Sequence, residues 1–238
     1  VQQQVVEVEP LHEPPVALVV PRWQRRCDDC AMASNFGTRA LALYSAALIA
    51  LLALSAYEPF DLPTWAMEVA PVVIVLVVLW ISRERFPLTP LLYALIFVHA
   101  CVLILGGHYS YARVPLGDWL RGAFSLARNP YDGIGHFAQG FIPAIAAREL
   151  LLRHTGLQRG GWLAVVVVLS CLGISAVYEL IEWGAAVALG QGAEEFLGTQ
   201  GDPWDTQKDM ALAGVGAVVA LLTLSRWHDR QLAELPQR

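Results

Sequence analysis

The sequence predicts an all-α, polytopic membrane protein of about six transmembrane helices plus one short interfacial helix. Three observations carry that prediction. The chain is 56% hydrophobic and only 16% charged, against about 25% charged for ordinary soluble domains. Its apolar residues gather into segments of roughly 17 to 25 residues, the length that crosses a hydrocarbon core of about 30 Å. Basic residues cluster at alternate ends of those segments, as the weave of a multi-pass protein requires. No long basic run with interleaved aromatics is present, which excludes nucleic acid as a partner.

Residues 1–37 are rich in Gln, Glu and Pro, and their apolar patch from Val16 to Val20 is too short to span anything. We expect a mostly disordered cytoplasmic tail over 1–37, a six-helix transmembrane domain over 38–228 and a short cytoplasmic C-terminal tail over 229–238. Cys27 and Cys30 form a lone Cys-x-x-Cys, half of a zinc pattern without its second half. Cys101 and Cys171 lie inside apolar segments and read as small core residues.

The first span is expected over 39–57, and the chain returns through an acidic, proline-containing loop into a second over 66–81. Pro87 and Pro90 restart the chain into a third, 91–106, which exits at Gly107-His-Tyr-Ser-Tyr. Leu116 to Leu126 mixes apolar residues with Asp118 and Arg121, which suits a helix lying in the interface. A fourth span over 132–152 follows. The fifth, 162–183, has a tryptophan at each end, as interfacial anchoring favours. A sixth over 206–224 completes an even weave. Arg22, Arg25, Arg26 and Arg39 crowd the approach to the first span and mark that end as cytoplasmic under the positive-inside rule. Of the 16 Lys and Arg, only Arg113, Arg121, Arg128 and Lys208 then fall outside.

This weave brings the unusual polar residues to one membrane depth. His108 ends span three, Asp132 and His136 open span four, Glu179 and Glu182 close span five, and Asp205 and Asp209 open span six. Asp132, His136 and Gln139 share one helical face, because spacings of four and seven return to nearly the same angle. Carboxylates this close to hydrocarbon have to pair with basic residues, hold protons or bind a cation. Asp132 also has a plain reading as a helix cap, and His136 as a packing histidine. Glu179 and Glu182 resist such readings, since the dipole disfavours acids near a helix C-terminus.

Imidazole and carboxylates at these spacings suit a divalent metal, Zn, Mn or Mg. The candidate ligands are Asp132, His136, Glu179, Glu182, Asp205 and Asp209. His136 and Glu182 are the candidate catalytic acid and base. His108, Arg113, Arg128, Tyr131 and Gln139 are candidate substrate-binding residues, with Arg128 or Arg113 as anion clamps. Gly133, Gly135, Ala138 and Gly140, facing Ala213, Gly214 and Gly216, permit close helix approach around such a site.

Four stretches carry a resemblance: His108-Tyr-Ser-Tyr, Arg128-Asn-Pro-Tyr-Asp-Gly-Ile-Gly-His-Phe-Ala-Gln-Gly-Phe, Tyr178-Glu-Leu-Ile-Glu-Trp, and Phe196 through Met210. Together they resemble the YjdF-type bacterial inner-membrane proteins over residues 40–232. That resemblance implies a multi-pass inner-membrane location and the fold, but no activity. A looser similarity to VanZ-like membrane proteins rests on Asp132 with His136, then Glu182, then Asp209 before a small-residue helix, and implies an envelope or lipid-related role.

The leading expectation is therefore an outward-facing, metal-binding polar site for a lipid headgroup or envelope substrate, with both termini cytoplasmic. A small-solute or proton-coupled transporter is the alternative, with the same acids as relay groups. His99 is the one ionisable residue expected near the midplane, which weighs against a through-path. A structural or assembly role in the envelope is a third reading.

Overall fold

A computed structural model describes residues 22–189 and 200–235, with side chains over 38–188 and 200–235. Among these the protein is wholly helical: α1 (Arg22–Ser55), α2 (Leu62–Ser82), α3 (Pro90–Tyr109), a 3-10 turn (Tyr111–Arg113), α4 (Pro115–Phe124), α5 (Tyr131–His154), α6 (Gly161–Leu189) and α7 (Asp205–Glu234). Five helices are long and apolar enough to cross a membrane: α1 over Thr38–Ser55, α2, α3, α6 and α7. With 24 residues α5 is also long enough, but it carries charge along its length. Its Asp132, Arg148 and Glu149 are buried against neighbouring helices instead of facing lipid.

The sequence signals that start these helices are visible in their caps. Asp61 accepts hydrogen bonds from the Thr64 N–H at 2.9 Å and its hydroxyl at 2.7 Å, and proline follows in the first turn of α2. Thr89, followed by Pro90, caps α3 by accepting from the Leu92 N–H. Ten residues make α4 too short to cross, and its Leu116, Trp119 and Phe124 are exposed, as an amphipathic helix lying on a membrane requires.

Three helices run further than expected. The backbone is already helical at Arg22, where a disordered tail was expected up to residue 37. Ala and Arg are good helix formers, and extending an existing helix costs no new nucleus. Residues 1–21 and the side chains of Cys27 and Cys30 lie outside what the structure describes. Beyond Trp183, α6 continues to Leu189 through Ala185, Ala186 and Ala188, again good helix formers. The expected outer loop after it falls largely on 190–199, outside the described residues. Past residue 224, α7 continues to Glu234 and buries His228 completely.

The helices pack as two groups of three. In the first, α3 carries α1 and α2, around Leu48, Val69, Val72, Ala100 and Ile104. In the second, α5, α6 and α7 pack on one another, around Ala144, Ile145, Val167, Cys171, Ala217 and Ala220. Packing of α3 on α5 joins the groups. The tightest approach is between α5 and α7. A side chain at Gly140 would collide with the backbone oxygen of Ala213, and one at Gly216 with the backbone oxygen of Phe137. Only glycine lets the two backbones touch there. Outward surfaces stay apolar, Leu54 being 70% and Leu222 79% exposed, which suits lipid.

The end of the bundle where α5 and α7 finish is tied by a buried ionic network. Glu149 is fully buried and accepts from the Thr89 hydroxyl at 2.8 Å, Arg153 at 2.7 Å and His228 Nε2 at 3.0 Å. Arg148 donates to His228 Nδ1 at 2.9 Å and to Asp229 at 2.8 Å. A guanidinium can only donate, so His228 Nδ1 is the acceptor and the ring carries its proton on Nε2, facing Glu149. Every member thus has a partner, which is what a buried charge network requires.

Candidate functional site

The opposite end, where α5 and α7 begin, holds the polar cluster. Asn129 organises its entrance. Its side-chain oxygen accepts from the Tyr131 N–H at 3.0 Å, and its amide donates to Val114 O at 3.1 Å and to Asp118 at 3.2 Å. Gln200 clasps its backbone from the α7 side through two hydrogen bonds of 3.1 Å. Asn129 therefore orders the start of α5, while Asp132 makes no capping bond. The cap reading of Asp132 does not hold, because Asn129 already meets the Tyr131 N–H and the Asp132 carboxylate turns inward.

Inside this entrance, His136 Nε2 lies 3.5 Å from Asp132 Oδ1, 3.7 Å from Glu179 Oε1 and 4.0 Å from Asp209 Oδ2. All four side chains are at least nine-tenths buried. Three of their carboxylate oxygens, Asp132 Oδ2, Glu179 Oε1 and Asp209 Oδ1, have no hydrogen-bond partner. One ligand atom each from Asp132, His136 and Asp209 lies within 4.8 Å of the others, close enough for a single cation. The far ring nitrogen, Nδ1, is 3.0 Å from Gln139 Oε1. An amide oxygen only accepts, so Nδ1 carries the proton and Nε2 is turned to the acids.

The remaining residues singled out in the sequence occupy other places. Glu182 lies within a turn of Glu179 and lines the adjoining slot, as do Asp132 and His136. Because α6 runs on to Leu189, neither glutamate is near its C-terminus, and the dipole argument drops out. Asp205 is buried one turn before Asp209 and is hydrogen-bonded by Arg128, whose other nitrogen is 4.0 Å from Asp202. Burial opposes the Arg128 charge, but the Asp205 carboxylate outweighs it and holds the guanidinium above its ordinary range. Asp202 is held below its ordinary range by the Lys208 ammonium and the Trp204 N–H. His108 Nδ1 donates to Ser55 O, 2.9 Å away, and Arg113 stacks on Phe60 at 4.2 Å. The Tyr131 hydroxyl donates to Val102 O at 3.0 Å. These three tie loops and helices together outside the cluster.

Two neighbours were not singled out. Glu68 of α2 is buried beside the cluster and accepts from the Tyr178 hydroxyl of α6 at 3.0 Å. The ring of Tyr111 folds back from the 3-10 turn onto Gly106 and Gly135, where any side chain would strike it. Glu68 did leave a signal, as the one acid inside the otherwise apolar run of α2.

Six long helices with apolar outward surfaces define a multi-pass integral membrane protein, and a carboxylate–imidazole cluster is buried within it. The chain belongs to the family described as "Predicted membrane protein (DUF2238)", whose model matches residues 40–230. It is 54% identical over 172 residues to the Inner membrane protein YjdF of Escherichia coli (strain K12), an alignment covering 72% of this chain and 82% of that protein. No solved structure matches the chain.

Proposed function

We propose that this membrane protein binds a divalent cation at Asp132, His136 and Asp209, with Glu179 completing the set, and presents it to a lipid headgroup or envelope substrate. The observation that carries this reading is the convergence of three buried carboxylates on His136 Nε2, with an unpartnered oxygen on each. Leaving such oxygens buried without compensation is costly, and a cation held by Asp132, His136 and Asp209 would offset that cost. One imidazole with carboxylates suits Mn, Zn or Mg. Glu182, next along α6 and facing open space, is placed to act as acid or base on a bound group. In the inner membrane, with both termini cytoplasmic, the cluster faces outward, an orientation supported by the distribution of basic residues.

Metal analysis of the purified protein tests the reading. The expected result is about one equivalent of divalent metal in the native chain and its loss in His136→Ala. A metal-free native protein that takes up no Mn2+ on titration overturns it.

A transporter is the second reading, favoured by one observation. His99 lies along the slot that leads away from the cluster, and its Nε2 is buried without a partner. On that reading His99→Leu abolishes proton-coupled flux in proteoliposomes; on the cation-site reading it leaves metal binding intact.

A further inference from the structure

Between the two helix groups runs a slot of about 630 Å3, with α2 on one side, α5 and α6 on the other, and α3 as its floor. It begins beside the His136 cluster, where the Glu68–Tyr178 hydrogen bond bridges α2 to α6. At its far end Phe86 stacks on His154, with ring centroids 4.5 Å apart. From Glu68 to Ser82 the α2 wall measures about 21 Å at 1.5 Å per residue. Between the two closures the lining is mostly aliphatic, with Val75 and Leu79 on α2 and Ile142 and Ala146 on α5, and His99 of α3 is a polar exception.

Two features identify the occupant. Val75 and Val78 line the slot and are 37% and 53% exposed, more than an enclosed cavity leaves its walls. The slot therefore opens sideways onto the surface that meets the bilayer, and what enters it is a bilayer component. Water gains little in an aliphatic slot, whereas a hydrocarbon chain recovers the dispersion contacts its walls would otherwise lack. The second feature is charge. Glu68, Asp132 and Glu182 face the polar end, and no Lys or Arg is among the described residues lining the slot. A head that ends there meets carboxylates.

We propose that the slot between α2 and α5 holds one hydrocarbon chain of a membrane lipid whose head ends in a primary ammonium, seated against Glu68 beside the His136 cluster. This deepens the cation-site reading, and rests on it for the position of the head. The volume falls within the range of ordinary ligand pockets, about 300–1,000 Å3. The ammonium and the Glu68 carboxylate pair in surroundings poor in water, where charge complementarity decides which head is accepted.

The test titrates the purified full-length chain in detergent with a single-chain phosphoethanolamine lipid and with its phosphoglycerol counterpart of equal chain length, binding being read by native mass spectrometry. Mn2+ binding is followed in parallel by electron paramagnetic resonance. The ethanolamine lipid is expected to bind about tenfold more tightly. Glu68→Gln, which still accepts from Tyr178, is expected to erase that preference. Filling the slot with Val75→Phe and Ala146→Phe should weaken both lipids by about tenfold or more. Leu222→Phe, on the lipid-facing side of α7, should change neither. Equal affinity for the two heads, or slot-filled protein that binds both lipids as the native chain does, overturns the proposal. Mn2+ binding that persists in the slot-filled protein leaves the cation reading standing by itself. Absence of Mn2+ binding with the lipid preference intact removes the cation reading and leaves the lipid slot.

Discussion

His136 and Gln139 form a pair one helical turn apart in which the amide oxygen fixes the imidazole at 3.0 Å and thereby aims its other nitrogen at three carboxylates. If that aim matters for holding a cation, removing the acceptor should loosen the site without dismantling it. Gln139→Met is expected to weaken Mn2+ affinity by about 10- to 100-fold, the usual cost of losing an outer partner of a ligating histidine. Gln139→Glu keeps the acceptor and should retain the affinity. Isothermal titration in detergent reads both variants, and equal binding by Gln139→Met and the native chain would sink the orienting role.

The approach of α5 to α7 makes a stability prediction with a built-in contrast. Gly216→Leu sets a side chain against the Phe137 backbone, where no flexible group can move aside. It should destabilise by about 3 kcal/mol or more, at the upper end of overpacking effects. Gly122→Ala in α4 meets nothing within 4 Å, and should be neutral or stabilising by up to about 1 kcal/mol. Thermal unfolding in detergent compares them. Equal shifts would mean that the close crossing is not under load.

At the other end, Glu149→Ala strands the Thr89 hydroxyl, Arg153 and the proton on His228 Nε2. Breaking one partner out of a buried charge network costs about 3–5 kcal/mol. Thermal unfolding should show a loss on that scale, while Mn2+ affinity at the distant His136 cluster is retained. Loss of both together would show that the two ends are coupled.

Acid should release the Asp202 tether before it affects the helices. The folded carboxyl lies below its ordinary range because of Lys208 and the Trp204 N–H, so its contribution is present above the unfolded value of about 3.9 and is lost as pH falls through the lower folded value. Trp204 fluorescence is expected to stay constant from neutral pH down to about pH 4 and change only below it. Lys208→Met should move that change to higher pH.

Orientation is settled by labelling. Single cysteines at Gly122, in the short helix α4, and at Gln158, in the connection from α5 to α6, lie at opposite ends of the bundle and are both exposed. With the native Cys27, Cys30, Cys101 and Cys171 replaced as background, Gly122→Cys should react with an impermeant maleimide from outside. Gln158→Cys should react only after permeabilisation. The reverse pattern would turn the cluster to the cytoplasm.

The helices themselves were legible because apolar runs, prolines and capping residues such as Asp61 and Thr89 act locally. Convergence of Asp132, His136, Glu179 and Asp209 was legible too, since the alternation of spans carries their start and end residues to one face. Partner choice was not legible. Nothing in the sequence says that Arg128 is occupied by Asp205, or that Tyr131 is spent on a backbone carbonyl, because these bonds join residues far apart in the chain. Glu149 and His228 were hidden for a related reason. Charges near a helix end resemble surface charges until the neighbouring helix is known to run past residue 224.

The contact of the α5 and α7 backbones at Gly140 and Gly216 also decides how this site can breathe. Two helices that touch through main chain, with no side chains between them to re-pack, shift as one body. Asp132, His136 and Asp209 therefore keep their mutual distances whatever the rest of the bundle does. On the slot side the cluster is bounded by α2, which meets the second helix group through the Glu68–Tyr178 hydrogen bond at the slot's polar end. The cluster is a fixed jaw, and α2, held on α3, is the wall that faces it across the slot.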